Sequence, residues 1–355
     1  MSSVELDSVV LRLREGDHVG VLKKTVKAGT ELVDSSGTVM AAVTIPAGHK
    51  IALQPVANGE PMRKYGQIIG FSEGDIKLGE HVHSHNLVCK EYEREHSFCV
   101  DYEPSDFYPE NKRRTFNGFA RPGGRVGTRN YVAVISNVNC SNSVSRYVVE
   151  RFRGEEFQKK YPGIDGVIAL KTQGGCGVDP GGPMQIIRRT LGNMARHPNI
   201  SGYVMIGLGC EDNQIRGIRE DYNLDDLREG EIPPEFMTIQ GTGGSLKTIE
   251  VAVKAVEKIL PKVADVKRTE QPLSKLVLAE NCGGSDGNSG CTANPALGVA
   301  SDELVRHGGT SVLAETTEIY GAEHLLTNRA VAPEVAEKLM RKIRRKPGMV
   351  AEVHY

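Results

Sequence analysis

From residue 123 onward the chain repeats one unit: a short apolar run, a glycine-rich or polar loop, then a helical stretch. YVAVI (131–135) precedes SNVNCSNS and VSRYVVERF. DGVIAL (165–170) precedes KTQGGCGVDPGG and MQIIRRTLGNMARH. YVMIGL (203–208) precedes GCEDNQ, and FMTIQ (236–240) precedes GTGGS and the amphipathic LKTIEVAVKAVEKIL. LVLA (276–279) precedes ENCGGSDGNSGCTANPALG, and SVLA (311–314) precedes ETTEIYGAEHLL. Short apolar runs bounded by turn signals read as buried strands. Their alternation with helices calls for a parallel sheet covered on its faces. Right-handed crossovers then bring every strand-to-helix loop to one edge, where open α/β sheets bind their ligands. The expected fold class is therefore α/β, with one α/β domain over 122–270 and a further α/β region over 271–355.

Four of the seven cysteines stand in those loops: Cys140, Cys176, Cys210 and Cys282. Three are flanked by glycines (Gly175 and Gly177, Gly209, Gly283 and Gly284), which let the backbone turn sharply and approach a ligand. Thiols converging on one rim suit iron, zinc or an iron–sulfur cluster. A single small thiol in a crowded loop is more simply a packing residue, and no C-x-x-C pair reinforces the metal reading. Acidic residues share the loops: Glu211, Asp212, Asp286, Glu315 and Glu318. Asn294-Pro295 marks a helix start, and with the loop Gly283-Gly284-Ser285-Asp286 before it forms a plausible carboxylate cradle. RPGGRVGTRNY (121–131) carries Arg121, Arg125 and Arg129, whose forks suit carboxylates or form a solvated basic turn. GTGGSLKT nearly matches two nucleotide motifs and fails both: it lacks the glycine before Lys247, and Leu246 stands where a third glycine is required.

Residues 1–90 have a different texture. HVGVLKKTV, TVMAAVTI and KIALQPV are separated by KAGT, PAGH, ANGE, SEGD and KLGE, which predicts a small barrel or clip-like β module. The charged stretch 91–121 reads as an interdomain linker. Within GEHVHSHNLV, His81, His83 and His85 alternate, so in a strand they share one face. Three imidazoles on one face point to metal binding or acid–base work; His49 and Lys50 add to them from PAGHK. Lys+Arg 44 against Asp+Glu 45 gives a nucleic-acid or membrane-surface partner no electrostatic support. The N-terminus lacks a basic region followed by an apolar core, and no run reaches the roughly 18 apolar residues of a membrane span. The chain reads as soluble and cytoplasmic, and an odd cysteine count argues against a disulfide framework.

Together PAGHKIAL, KYGQIIGF, GEHVHSHN, GRVGTRNY, GLGCE, NCGGSDGNSGCTANPALG and ETTEIYGAEHL resemble the altronate/galactarate dehydratase family of sugar-acid hydro-lyases, to which sulfolactate sulfo-lyases are related. The resemblance runs from about residue 10 to 340. It implies an N-terminal SAF-type β domain, α/β domains carrying the main site, and metal-dependent dehydration of a sugar acid to a 2-keto-3-deoxy acid. Fe2+ is the expected metal, with Mn2+ or an iron–sulfur cluster as alternatives. Residue by residue, it implies catalytic roles for His83, His85, Lys50 and Asp286. Substrate contacts fall to His49, Asn86, Arg125, Arg129, Gly283, Gly284 and Ser285. Metal ligation falls to Cys140, Cys176, Cys210 and Cys282, or to His83 and His85 with the cysteines behind them. Two departures stand out: Thr172 and Gln173 occupy LKTQGGCG where the family pattern has a histidine, and the chain stops after MRKIRRKPGMVAEVHY where relatives continue. A truncated product or one part of a split enzyme is therefore expected, partnered by a second copy or by a complementary C-terminal chain. The alternatives are a C–S lyase acting on a sulfonated hydroxy acid and a non-catalytic sugar-acid-binding remnant.

Overall fold

The computed structural model describes residues 3–35, 37–90, 96–284 and 288–344. Two compact units form. One contains the described residues up to Phe107 with Val277–Arg306 and those from Thr310 onward; the other contains Tyr108–Leu276 with His307–Gly309.

The central unit is built on four parallel strands in the spatial order Gly166–Leu170, Tyr131–Ser136, Ile200–Gly207, Glu235–Thr238. Alternation along the strands sorts side chains to two faces, as strand geometry requires. Val132, Val134, Val204 and Ile206 enter one core, with Val144, Val148 and Val149 of the helix Asn142–Glu150 and Ala252, Val256 and Ile259 of the helix Ser245–Asp265. Ala133, Ile135, Tyr203 and Met205 enter the other, with Leu191 and Ala195 of Gly182–Ala195 and Ile215 and Ile218 of Ile215–Asp221. Spacings of three and four residues along the long helix keep its apolar stripe on the sheet. Burying each such branched side chain contributes about 1.5–3 kcal/mol.

Within the other unit, the N-terminal β module pairs Val10–Leu11, Val19–Leu22, Lys50–Ala52 and His81–Val82 into one antiparallel sheet. Its turns KAGT, PAGH, ANGE and KLGE each place a glycine at positive φ: Gly29, Gly48, Gly59 and Gly79 lie between 77° and 84°. A side chain is disfavoured in that conformation. Leu6, Leu22, Leu32, Ile45 and Ile51 fill one core and Val19, Met62, Ile76 and Val82 a second. The same unit holds a βαβ element, in which Val277–Glu280 pairs in parallel with Thr310–Leu313 across the helix Ala293–Arg306.

The expected mixture of a β module and parallel-sheet α/β structure is present. Three expectations need correction. The six strands do not share a sheet: four belong to the central unit and two form a separate sheet. The stretch 91–121 is not simply irregular. Thr115–Ala120 is a strand paired with Thr269–Pro272, in register Thr115↔Pro272 to Gly118↔Thr269, and upstream of it Cys99 N and Asp101 N donate to the Thr327 and Asn328 carbonyls. Charge and aromatic residues obscured backbone pairing that depends on main-chain groups alone. Finally, the central unit extends past residue 270 to Leu276, because its last strand returns to its first. Among the described residues no helix is long and apolar enough to cross a membrane.

Candidate active site

At the carboxyl edge of the four-stranded sheet the loops are laced together by main-chain bonds. Asn139 N donates to the Gly174 carbonyl at 2.8 Å and Asp212 N to the Cys176 carbonyl at 2.9 Å. This brings Cys140 Sγ within 3.4 Å of Cys176 Sγ, both thiols being free. The thiol contact, then burial, raises the Cys176 pKa. On the next loop Cys210 Sγ accepts the Gln240 amide at 3.2 Å. Gly209 makes this possible: at φ 125° it presents no side chain, and a Cβ there would lie 2.7 Å from Gln240 Oε1.

Beneath the cysteine loops lies Glu211, 1% exposed. Its carboxylate accepts Asn137 Nδ2 at 2.8 Å, Leu208 N at 3.2 Å and Gly209 N at 2.5 Å. Asn137 also donates to the Asn213 carbonyl at 2.7 Å, and Asn213 Oδ1 accepts Arg188 Nε at 3.0 Å. A buried carboxylate is tolerable only when its oxygens are satisfied; here they are satisfied by the backbone of the turn that presents Cys210. Glu211 thus shapes the loop.

A second cluster forms in the β module. The strand pairing Ile51↔His81 and Lys50↔Val82 sets His49 Nδ1 3.0 Å from His81 Nε2. The His49 and His83 rings stack at 5.2 Å, and His81 lies 5.5 Å from both His83 and His85. Burial first, then the neighbouring His49, His83, His85 and Lys50, holds His81 down at about 4. Burial and then His49 lower His83 as well, and burial with the Lys64 charge lowers Lys50. Crowded imidazoles resist protonation because each added charge repels the next. At neutral pH His81 and His83 are therefore neutral and able to accept a proton.

The remaining expected residues divide. Asn86 is committed to its own turn, where Oδ1 accepts His83 N and Nδ2 donates to the His81 carbonyl, both at 3.0 Å. It shapes the turn that presents the histidines. Arg125 and Arg129 precede the strand Tyr131–Ser136, at the amino edge of the sheet, away from the cysteine loops; Arg129 pairs with Asp165 at 3.0 Å. Cys282 follows the first strand of the separate two-stranded sheet, where its N–H donates to Glu315 Oε2 at 3.0 Å. Gly283 and Gly284 are exposed with open space about them. Ser285 and Asp286 lie outside the described residues. Sequence reasoning missed Tyr65, whose hydroxyl donates to the Gly290 carbonyl at 2.5 Å and contacts Cys291 Sγ at 3.4 Å. It also missed Gln240. A tyrosine in KYGQ and a glutamine in TIQGT carry no spacing signal that could have exposed either contact.

Neither cluster is a complete metal site. Among the described residues no three His, Cys, Asp or Glu side chains are arranged to hold an ion. Cys140 and Cys176 supply two donors, and His49 and His81 turn facing nitrogens toward each other. A closed or catalytic zinc-type site takes at least three protein ligands, and among the described residues neither cluster supplies three by itself.

Three family models cover successive regions of the chain. The altronate/galactarate dehydratase SAF domain matches residues 8–90, the second domain of D-galactarate dehydratase/altronate hydrolase 118–264, and the D-galactarate/altronate dehydratase C-terminal domain 273–354. The altronate dehydratase of Bacillus subtilis (strain 168) is 34% identical over 334 residues, 93% of this chain and 64% of the relative. The galactarate dehydratase (L-threo-forming) of Escherichia coli (strain K12) is 35% identical over 343 residues, 94% of this chain and 64% of the relative. More distantly, the (2R)-sulfolactate sulfo-lyase subunit beta of Chromohalobacter salexigens is 30% identical over 243 residues, 68% of this chain and 57% of the relative. The chain spans 64% of the length of the two dehydratases it matches. With three consecutive domains of one family accounting for most of its length, the chain belongs to the altronate/galactarate dehydratase family.

Proposed function

We propose that this chain acts in the dehydration of a sugar acid of the altronate or galactarate type to a 2-keto-3-deoxy acid. The observation that carries this reading is the cluster of neutral imidazoles beside Lys50. Dehydration requires a base for the weakly acidic proton α to the carboxylate, and a group poised near the working pH performs this best. With its Nδ1 3.0 Å from Ser84 Oγ, His83 has Nε2 left to take that proton. The electron pair then forms the α–β double bond as the β-hydroxyl departs. That hydroxyl leaves as water after accepting a proton, for which Lys50 is the donor. The enol product gains a proton at its β-carbon on tautomerising to the keto acid. The ammonium of Lys50 also offsets negative charge developing on the substrate carboxylate.

The names of the relatives supply the substrate class. Fe2+, Mn2+ or a cluster at the cysteine loops remains part of the proposal, with Cys140 and Cys176 as the first thiolate donors. Altronate, galactarate and sulfolactate, each assayed anaerobically with and without added Fe2+ or Mn2+, test the reading. Formation of a 2-keto-3-deoxy acid from either sugar acid is the expected result. Sulfite release from sulfolactate alone would favour the C–S lyase alternative, and sugar-acid binding with no product would leave a binding protein.

A further inference from the structure

At the amino edge of the four-stranded sheet, opposite the cysteine loops, a cavity of about 150 Å³ opens between the RPGGR turn and the start of the strand Ile200–Gly207. Its wall carries Arg121, Arg125, Arg196, His197 and Tyr203, with Glu231 as its one carboxylate. Arg228 lies against the same turn: its guanidinium donates to the Pro122 carbonyl at 3.4 Å and occupies the space a side chain at residue 123 would need. Gly123 stands there at φ 78°, with a notional Cβ 2.0 Å from Arg228 Nη1. The glycine of the turn is what admits the arginine.

These guanidinium groups are bound by neutral acceptors. Arg121 donates to the Pro198 carbonyl at 2.7 Å, the Arg129 carbonyl at 3.0 Å and Asn130 Oδ1 at 3.1 Å, and also to Ser201. Arg196 donates to the carbonyls of Asn223 and Asp226. Among the described residues none of Arg121, Arg125, Arg196 and Arg228 forms an ion pair with a carboxylate, and the Arg125 guanidinium has no hydrogen-bond partner. Glu231 accepts the backbone N–H of Arg228 at 3.1 Å. The charges feel one another: burial first, then Arg228 and Arg196, lower Arg125 against the opposing pull of Glu231, and burial followed by Arg125 lowers His197. Arginines that outnumber the one carboxylate lining the cavity are held against their mutual repulsion by the fold, and an oxyanion between them relieves it.

We propose that this cavity is a binding site for a small oxyanion, a phosphate or carboxylate head on a short body, at the edge of the central sheet opposite the cysteine loops. The volume matches a ligand of about six heavy atoms, since an apolar cavity of this size accommodates benzene. Arginine forks grip the head, and the apolar wall of Ile200, Leu224 and Ile232 faces the body.

Equilibrium binding of inorganic phosphate and of succinate to the full chain, by calorimetry at constant ionic strength set with sodium chloride, tests the site. Saturable one-to-one binding of phosphate, succinate or both is expected, and which one binds identifies the head. Arg125→Ala should weaken it about tenfold or more, the loss of one charge-assisted fork. Arg228→Ala serves as the second variant, with circular dichroism reporting that both remain folded. Neither anion binding saturably, or undiminished affinity in both folded variants, would overturn the proposal.

Discussion

Replacing Glu211 by alanine should loosen the central unit more than any other single truncation of a polar group at the carboxyl edge of its sheet. The carboxylate is 1% exposed and receives three N–H groups, from Asn137, Leu208 and Gly209. Hydrogen bonds to an ionised acceptor contribute about 1.5–3 kcal/mol each, and a buried donor left unpaired costs about 1–3 kcal/mol. Three bonds would then give several kcal/mol. Two terms reduce the total: the alanine variant no longer buries a charge, and water can enter the vacated space to meet the donors. The net expectation is about 3 kcal/mol. For a unit of this size, each kcal/mol moves the thermal midpoint by about 2–4 °C, so a drop on the order of 6–12 °C is expected. Glu211→Gln should fall between wild type and alanine, because its carbonyl oxygen keeps one or two of the bonds while its NH2 group faces a donor. Thermal unfolding of the full chain, followed by circular dichroism at matched scan rates, measures both. An alanine variant within about 0.5 kcal/mol of wild type, the range of neutral surface changes, would show that the three bonds hold nothing in place.

Four further outcomes are expected. His83→Ala should abolish keto-acid formation with the far-ultraviolet circular dichroism unchanged; wild-type turnover would remove this imidazole from the reaction. The pH profile of kcat/KM should lose its acid limb only below the ordinary imidazole value, because burial and His49 lower His81 and His83. Protonation silences a base as pH falls through its pKa, so a limb at or above about 6.5 would contradict the cluster electrostatics. Cys140→Ser should reduce whatever metal co-purifies with the protein, measured by elemental analysis, and an unchanged content would leave the Cys140–Cys176 contact as packing. Tyr65→Phe removes the bond to the Gly290 carbonyl and should destabilise the unit holding the β module by about 1 kcal/mol, read by chemical denaturation.

Much of the fold was legible because its determinants are local. The runs YVAVI and YVMIGL announce strands whose alternating residues serve two cores, and the apolar stripe of the helix Ser245–Asp265 announces its buried face. The imidazole cluster was legible in the histidine density of HVHSH but not through a strand face: only His81 lies in a strand, His81–Val82, and His83 and His85 stand in the turn that follows. What escaped was set by long-range pairing. The strand Thr115–Ala120 owes its existence to a partner more than 150 residues away, Thr269–Pro272. Cys282 follows a strand of the separate two-stranded sheet and not of the four-stranded one, because strand texture does not reveal which sheet a strand joins. Asn86 was read as a substrate contact from the family resemblance and Arg129 from its fork; in the structure Asn86 bonds its own turn and Arg129 pairs with Asp165. Roles of that kind depend on which hydrogen-bond partners the folded chain supplies, and local composition is silent about them.

The pairing of Thr115–Ala120 with Thr269–Pro272 bears on how this polypeptide is made. The central unit has its first and last strands side by side, so it can close as soon as its own final strand leaves the ribosome. The unit containing the β module is completed later, since Tyr65 bonds a residue 225 positions downstream and Cys99 N donates to the Thr327 carbonyl. Vectorial synthesis therefore favours an inside-out order of assembly, in which the interior stretch matures while the flanking halves of the other unit await each other.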